Sequence, residues 1–103
     1  MHGRVLPLAS GIHLANPELP VIAMAGDGAT LSEGVNHLIH TARNNYNITF
    51  ILHNNHNYGL TTGQASATTP RQQSMKGTCG TTTAQPLIPG QLVLAAGGSF
   101  VAR

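Results

Sequence analysis

The sequence VIAMAGDG at residues 21–28 indicates the fold class of this chain. Its first half is apolar and does not alternate with polar residues, which is typical of a strand covered on both faces of a parallel sheet. This strand delivers an acidic residue, Asp27, between Gly26 and Gly28. A second apolar run, ITFILH at residues 48–53, is followed directly by two asparagines. The chain therefore predicts two buried strands that each end in oxygen-bearing side chains.

A helix is predicted between these strands, over residues 30–44. Thr30 and Glu33 have the spacing of a capping box. The apolar residues of this segment recur at helical spacing: Leu31, Val35, Leu38, Ile39 and Ala42. Strand, helix and strand in this order predict a βαβ unit with a right-handed crossover.

The remaining segments predict a small, incomplete domain. We expect a helix over residues 4–16, a short helix over 91–96 and a third strand over 99–102. Residues 61–86 contain eight threonines and no periodic pattern, and so long a stretch is typical of a functional loop or of disorder. Three parallel strands with few helices leave sheet edges and faces unfilled. We therefore expect a piece of a larger domain, or a chain that depends on a partner.

Composition excludes several classes of protein. The 103 residues form at most one domain, and only 8% of them are charged, so we expect part of the surface to be covered by a partner chain or a missing segment. The net charge of +2 is too small for a nucleic-acid interface. No apolar run has the length of a membrane span, and the start does not resemble a signal peptide. The single cysteine, Cys79, cannot form an internal disulfide, and a cytoplasmic location is the default expectation.

The ends of the two strands predict a metal and phosphate site. Ligands of parallel α/β sheets lie beyond the carboxyl ends of the strands. Asn55 lies 28 positions after Asp27, and both offer oxygen atoms of the kind that Mg²⁺ prefers. The backbone carbonyl of Asn57 is the expected third protein ligand. Gly28, at the start of the predicted helix, lets the backbone approach a phosphate group.

Simpler explanations exist for each motif. A Gly-Asp-Gly sequence after a strand is often only a turn, and adjacent asparagines are frequent turn formers. Their joint occurrence at two correctly spaced strand ends favours the functional interpretation. Four histidines, His37, His40, His53 and His56, make a zinc site conceivable, but no carboxylate or thiol is placed to join them, so packing and hydrogen bonding are favoured.

The motifs resemble a known family. The pattern of GDG followed by about 27 residues and then NN resembles the thiamine-diphosphate motif. The longer run GDGATLSEGVNHLIHTARNNYNITFILHNNHNYGLTTGQASATTP resembles the β subunit of 2-oxoacid:ferredoxin oxidoreductases. The resemblance covers essentially the whole chain. It implies a truncated α/β fold of three layers, with a parallel sheet of thiamine-diphosphate-binding type. Residues 1–103 would form a partial thiamine-diphosphate-binding domain of the pyrophosphate type, with the threonine-rich loop at 61–86.

The resemblance also implies roles for individual residues. The metal ligands are Asp27, the Asn55 side chain and the Asn57 carbonyl. The residues that line the cofactor are Gly26, Gly28, Ala29, Gly59, Leu60, Thr61, His2 and Arg4. His2 and Arg4 belong to the HGR segment at residues 2–4. No catalytic residue is assigned, because the activating glutamate of the family belongs to a partner domain.

Several residues depart from the family pattern. Ala29 stands where an aspartate is usual, which removes one polar contact. The other departures are Asn44 for an arginine, His53 for an aromatic residue, Ala67 for a proline and Asn57 for an apolar residue. None removes a metal ligand, since Asn57 would bind through its backbone. The family's [4Fe–4S] cysteines have no counterpart here, and Cys79 matches none of them.

The resemblance implies an enzyme component. The family catalyses the oxidative decarboxylation of a 2-oxoacid such as pyruvate or 2-oxoglutarate to an acyl-CoA, with coenzyme A as substrate and ferredoxin as electron acceptor. An α-type partner subunit binds the pyrimidine ring of the cofactor. This chain would supply the Mg²⁺–thiamine diphosphate anchor and would be inactive alone. Two alternatives are a fragment of a non-oxidative thiamine-diphosphate decarboxylase or synthase, and a non-catalytic interaction fragment.

Overall fold

The computed structural model describes all residues 1–103, and its centre is a two-stranded parallel sheet. Strand β1 (Val21–Gly26) pairs with β2 (Ile48–His53) in a register that sets Val21 beside Ile48 and Gly26 beside His53. Both strands coincide closely with the apolar runs of the sequence. The parallel α/β class is therefore confirmed.

Three α-helices and a short hairpin complete the chain. Helix α1 (Val5–Ala15) precedes β1, α2 (Val35–Asn44) connects β1 to β2, and α3 (Pro89–Ala95) lies near the end. The hairpin joins the two-residue strands β3 (Asn57–Tyr58) and β4 (Gln64–Ala65) in antiparallel pairing. No helix is both long enough and apolar enough to cross a bilayer.

The predicted helix over residues 30–44 is wrong in its first third. Gly28–Glu33 form a π-helix, and a separate α-helix begins only after Gly34. A Cβ atom at Gly34 would lie 2.4 Å from the carbonyl oxygen of Gly3 and 2.9 Å from that of Ala29. The backbone at Gly34 therefore lies too close to these two residues to admit a side chain. The capping box is also wrong, because neither helix has a side-chain cap and the buried Thr30 hydroxyl has no partner.

The hydrophobic core lies on one face of the sheet. Leu6, Leu31 and Leu38 form its buried centre. Partly buried side chains from the strands, the loop and α3 surround them, namely Phe50, Leu52, Ala67, Leu87, Leu92 and Val93. This packing places the helices over the odd-numbered side chains of β1 and the even-numbered side chains of β2.

The opposite face of the sheet is exposed, so the expectation of strands covered on both faces is wrong for this chain. Ile22 and Met24 are 67% and 59% exposed, and Ile51 is 43% exposed. Of the three expected layers, the chain itself supplies the sheet and one helical layer. The predicted third strand at residues 99–102 is also wrong, since this segment has no regular structure. It is tied to the domain by Ser99, which donates to the side chain of Asn45.

Candidate functional site

The two strand ends lie side by side, because the parallel register sets Gly26 beside His53. Asp27 follows the first strand immediately and Asn55 follows the second by two residues. Asp27 is only 1% exposed, whereas Asn55 is exposed. The carboxylate thus forms the floor of a site that opens to solvent on the Asn55 side.

Three oxygen-bearing groups converge at this point. One terminal atom of the Asn55 amide lies 2.9 Å from Oδ1 of Asp27 and 2.8 Å from the backbone carbonyl oxygen of Asn57. Both neighbours are hydrogen-bond acceptors, so without a cation the amide nitrogen takes this position and donates to both. The structure therefore brings together the three groups that the sequence analysis named as metal ligands.

The spacing of these oxygens fits a small divalent cation. An octahedron with metal–oxygen distances of about 2.1 Å has neighbouring oxygens about 3.0 Å apart. The donor set of one carboxylate, one amide oxygen and one carbonyl is also the set that a hard cation prefers. A cation at this point requires the amide of Asn55 to turn, so that its oxygen replaces the nitrogen that donates to Asp27 and Asn57. The same atomic positions thus suit the protein with and without the ion.

The second oxygen of the Asp27 carboxylate is occupied by two hydroxyls of the threonine-rich loop. Ser66 Oγ donates to Oδ2 at 2.5 Å, and Thr68 Oγ1 donates to the same atom at 2.7 Å. Burial by itself raises the pKa of this carboxyl. The two hydroxyls, with the backbone N–H groups of Asp27 and Asn55, outweigh burial and bring the pKa of Asp27 below its ordinary value. The carboxylate is consequently ionised and ready to bind a cation.

Sequence reasoning missed Ser66 and Thr68. They lie 39 and 41 residues after Asp27, in a segment without periodicity. The only signal for them in the sequence is SATTP at residues 66–70, within the family resemblance. Asn54 also contacts this group, since its side-chain oxygen lies 2.7 Å from the Thr68 hydroxyl.

Gly28 contacts an aromatic ring. A Cβ atom at this position would lie 2.6 Å from Cε1 of Tyr58, and the Tyr58 hydroxyl donates to the Gly28 carbonyl at 3.2 Å. The ring of His2 stacks on Tyr58 with centroids 6.0 Å apart, and His2 also meets Glu33 in an exposed pair at 3.3 Å. The structure thus explains the glycine by the packing of Tyr58.

The tip of the β3–β4 hairpin carries three of the expected cofactor-lining residues. The backbone N–H groups of Gly59, Leu60 and Thr61 donate no hydrogen bond within the chain, although the carbonyl of Gly59 accepts one from Thr62. The Leu60 side chain is fully exposed. Three successive free N–H groups beside the oxygen cluster form a surface suited to an anion.

The other expected residues have no polar side-chain contact with Asp27, Asn55 or Asn57. Gly26 is the last residue of β1 and is exposed, while Ala29 is half-buried in the π-helix. Arg4 is exposed at the start of α1 and has no ion-pair partner. No three His, Cys, Asp or Glu side chains are grouped to hold a metal, and Cys79 is an exposed free thiol.

Comparison with known families matches this geometry. The sequence pattern described as "Thiamine pyrophosphate enzyme, C-terminal TPP binding domain" matches residues 1–103, the whole chain. The chain belongs to this family of thiamine pyrophosphate enzymes. Thiamine pyrophosphate is the same compound as thiamine diphosphate. The family was therefore predicted correctly from the GDG and NN motifs.

This thiamine-pyrophosphate-binding domain is similar to β subunits of larger enzymes. It is 43% identical over 102 residues to the 2-oxoglutarate synthase subunit KorB of Archaeoglobus fulgidus, covering 99% of the chain and 38% of that protein. It is 44% identical over 103 residues to 2-oxoacid:ferredoxin oxidoreductase 1, subunit beta, of Aeropyrum pernix, covering the whole chain and 32% of that protein. The domain thus spans about a third of the length of these relatives.

A solved structure has the same fold as this thiamine-pyrophosphate-binding domain. It is 2-oxoglutarate:ferredoxin oxidoreductase from Magnetococcus marinus with 2-oxoglutarate, coenzyme A and succinyl-CoA bound. The two superpose with a TM-score of 0.91 at 37% sequence identity, over 95% of this chain and 34% of the other.

Proposed function

We propose that this chain anchors the diphosphate of thiamine diphosphate through Mg²⁺, as part of a 2-oxoacid:ferredoxin oxidoreductase. The observation that carries the proposal is the convergence of the Asn55 side-chain amide with Asp27 Oδ1 and the Asn57 carbonyl, at 2.9 and 2.8 Å. These separations match the edges of a magnesium octahedron.

Each residue has a distinct part in holding the cofactor. Asp27 supplies the negative charge, and its burial keeps competing water away from one side of the ion. Asn55 and Asn57 supply neutral oxygens. The remaining positions of the ion are available to phosphate oxygens and water, as is usual for Mg²⁺ in proteins. Because Asn57 would bind through its backbone, its unusual side chain does not weaken the site.

The hairpin tip is the proposed contact for the diphosphate itself. The free N–H groups of Gly59, Leu60 and Thr61 can donate to phosphate oxygens that the ion does not bind. Gly28, Ala29, Gly26, His2 and Arg4 are kept as cofactor-lining residues on the family resemblance alone. The proposal gives no phosphate-binding role to a helix N-terminus, since only a six-residue π-helix follows Asp27.

The proposed reaction is the oxidative decarboxylation of a 2-oxoacid to an acyl-CoA. Thiamine diphosphate supplies an ylide carbanion for chemistry at the 2-oxo carbon. This chain binds and orients it, while an α-type subunit, ferredoxin and the iron–sulfur cluster serve the remaining steps. The names of the relatives favour this reaction over the non-oxidative decarboxylase alternative. A cytoplasmic location stays a prediction of the sequence.

Calorimetry on the 103-residue chain tests the anchor. We expect thiamine diphosphate to bind only when Mg²⁺ is present. Asp27→Ala should abolish the magnesium-dependent heat, and Asn55→Ala should weaken binding about tenfold or more, the equivalent of losing about 1.4 kcal/mol. Asn57→Ala should bind normally because its ligand is a carbonyl. Asn36→Ala, an exposed asparagine on α2, is the matched control.

Two results would contradict the anchor. One is tight cofactor binding that survives Asp27→Ala. The other is equal loss of binding in Asn57→Ala and Asn55→Ala, since only one of these side chains is a proposed ligand. The oxidoreductase activity needs a separate assay. Reconstitution with a cognate α-type subunit should give ferredoxin reduction that depends on both coenzyme A and a 2-oxoacid.

A further inference from the structure

The Asp27 carboxylate is held asymmetrically. Its Oδ2 accepts hydrogen bonds from Ser66 at 2.5 Å and from Thr68 at 2.7 Å, whereas its Oδ1 faces the Asn55 amide of the proposed metal site, at 2.9 Å. Two donors on one oxygen stop the carboxylate from rotating. They also occupy the lone pairs that a second metal–oxygen bond would need.

The directions of the two hydroxyl protons follow from their neighbours. Ser66 Oγ accepts the backbone N–H of Thr68 at 3.3 Å, so its own proton is available to Asp27. Thr68 has a single proton between two acceptors at 2.7 Å, Asp27 Oδ2 and the Asn54 oxygen. The ionised carboxylate is the stronger acceptor and takes it. The Asn54 amide then has to present its nitrogen to Thr68.

The loop that carries these hydroxyls is itself braced. Thr68 and Thr69 are each 3% exposed, and Thr69 donates to the His56 carbonyl at 2.6 Å. The backbone N–H of Ala67 donates to Ser32 Oγ at 2.9 Å, and the Ala67 carbonyl accepts from Leu87 at 2.8 Å. Three separate parts of the chain, at Ser32, His56 and Leu87, therefore position residues 66–69. The hydroxyls cannot swing away from Asp27 without breaking these bonds.

We propose that Ser66 and Thr68 are positioning residues that restrict Asp27 to one-oxygen coordination and thereby favour Mg²⁺ over Ca²⁺. This inference rests on the proposed function, because it concerns the same metal site. Ca²⁺ accepts six to eight oxygens and often binds a carboxylate through both of its oxygens, at 2.3–2.6 Å. Mg²⁺ takes about six oxygens at about 2.1 Å. A carboxylate that can bind the ion through only one of its oxygens suits the smaller ion, Mg²⁺.

The test measures the affinities for Mg²⁺ and Ca²⁺ separately, each in the presence of thiamine diphosphate, by calorimetry on the full chain. For Ser66→Ala and Thr68→Val we expect magnesium-dependent binding to weaken by roughly tenfold to a hundredfold, the usual effect of removing a partner of a metal ligand. We expect Ca²⁺ to be affected less, so that the ratio of the two affinities changes about tenfold.

Two further variants separate positioning from folding. Thr68→Ser keeps the hydroxyl and loses only a methyl group, so it should keep the wild-type ratio. Thr83→Val changes an exposed threonine of the same loop that makes no side-chain hydrogen bond, and it should match the wild type. Partial unfolding lowers the affinity for both ions together and cannot change their ratio.

The outcomes separate this inference from the proposed function. If the wild type shows no magnesium-dependent binding of thiamine diphosphate, the proposed function fails. If the wild type binds and Asp27→Ala does not, while Ser66→Ala and Thr68→Val keep the wild-type ratio of affinities, only the positioning role is overturned. A changed ratio in Thr68→Ser would overturn it as well, because the hydroxyl is retained there.

Discussion

Replacing Gly28 by alanine tests how the end of β1 is packed. The added Cβ would lie 2.6 Å from Cε1 and 2.8 Å from Cδ1 of Tyr58, whereas carbon atoms in contact are normally about 3.5–4.0 Å apart. The tyrosine ring must therefore move by about 1 Å. That movement weakens its hydrogen bond to the Gly28 carbonyl and its stacking on His2.

The expected cost follows from two opposing effects. Overpacking of this kind costs about 1–3 kcal/mol. Replacing a glycine within a helical segment recovers about 0.5–1 kcal/mol, and Gly28 is not among the glycines with positive φ. The net loss in the free energy of unfolding should thus be about 0–2.5 kcal/mol. In a Tyr58→Ala background the clash disappears, and Gly28→Ala should become neutral or stabilising by up to about 1 kcal/mol.

Urea unfolding of the wild type, the two single variants and the double variant measures this coupling. We expect an interaction free energy of about 1–3 kcal/mol, the overpacking cost that the missing ring removes. Gly11→Ala is the control, because a Cβ at Gly11, in α1, has no heavy atom within 4 Å. It should stabilise the chain by the same amount in both backgrounds. If Gly28→Ala cost as much without the ring as with it, our packing explanation would be refuted.

Two other predictions concern buried polar groups, and urea unfolding measures both. The pKa of Asp27 is lower in the folded chain than the ordinary value of about 3.9, so the contribution of this carboxylate to stability is complete above that pH and is lost as the pH falls through the folded pKa. The difference in stability between the wild type and Asp27→Asn should therefore shrink on acidification. A difference that stayed constant or grew would contradict the lowered pKa. Thr30 is 4% exposed and its hydroxyl has no hydrogen-bond partner. Thr30→Val should therefore be neutral or stabilising by up to about 1 kcal/mol. A clear loss of stability would show that the hydroxyl has an unrecognised partner.

The strand ends could be predicted because their signals are local. Short apolar runs indicated β1 and β2, and residues that follow parallel strands emerge at the same edge of the sheet. The helix after Asp27 was predicted poorly for a physical reason. Its apolar spacing fits a continuous α-helix, but the close approach of Gly3 to Gly34 is a contact between distant segments that periodicity does not report.

By itself, the sequence determined the parallel α/β class and the family, and it predicted three oxygen ligands for a metal. These follow from short-range patterns and from motif spacing along two neighbouring strands. Only the tertiary structure decided how Asp27 is held, since Ser66 and Thr68 reach it from about forty residues away. The sequence of a loop without periodicity does not indicate which carboxylate the loop contacts, because such contacts depend on how the chain folds back on itself.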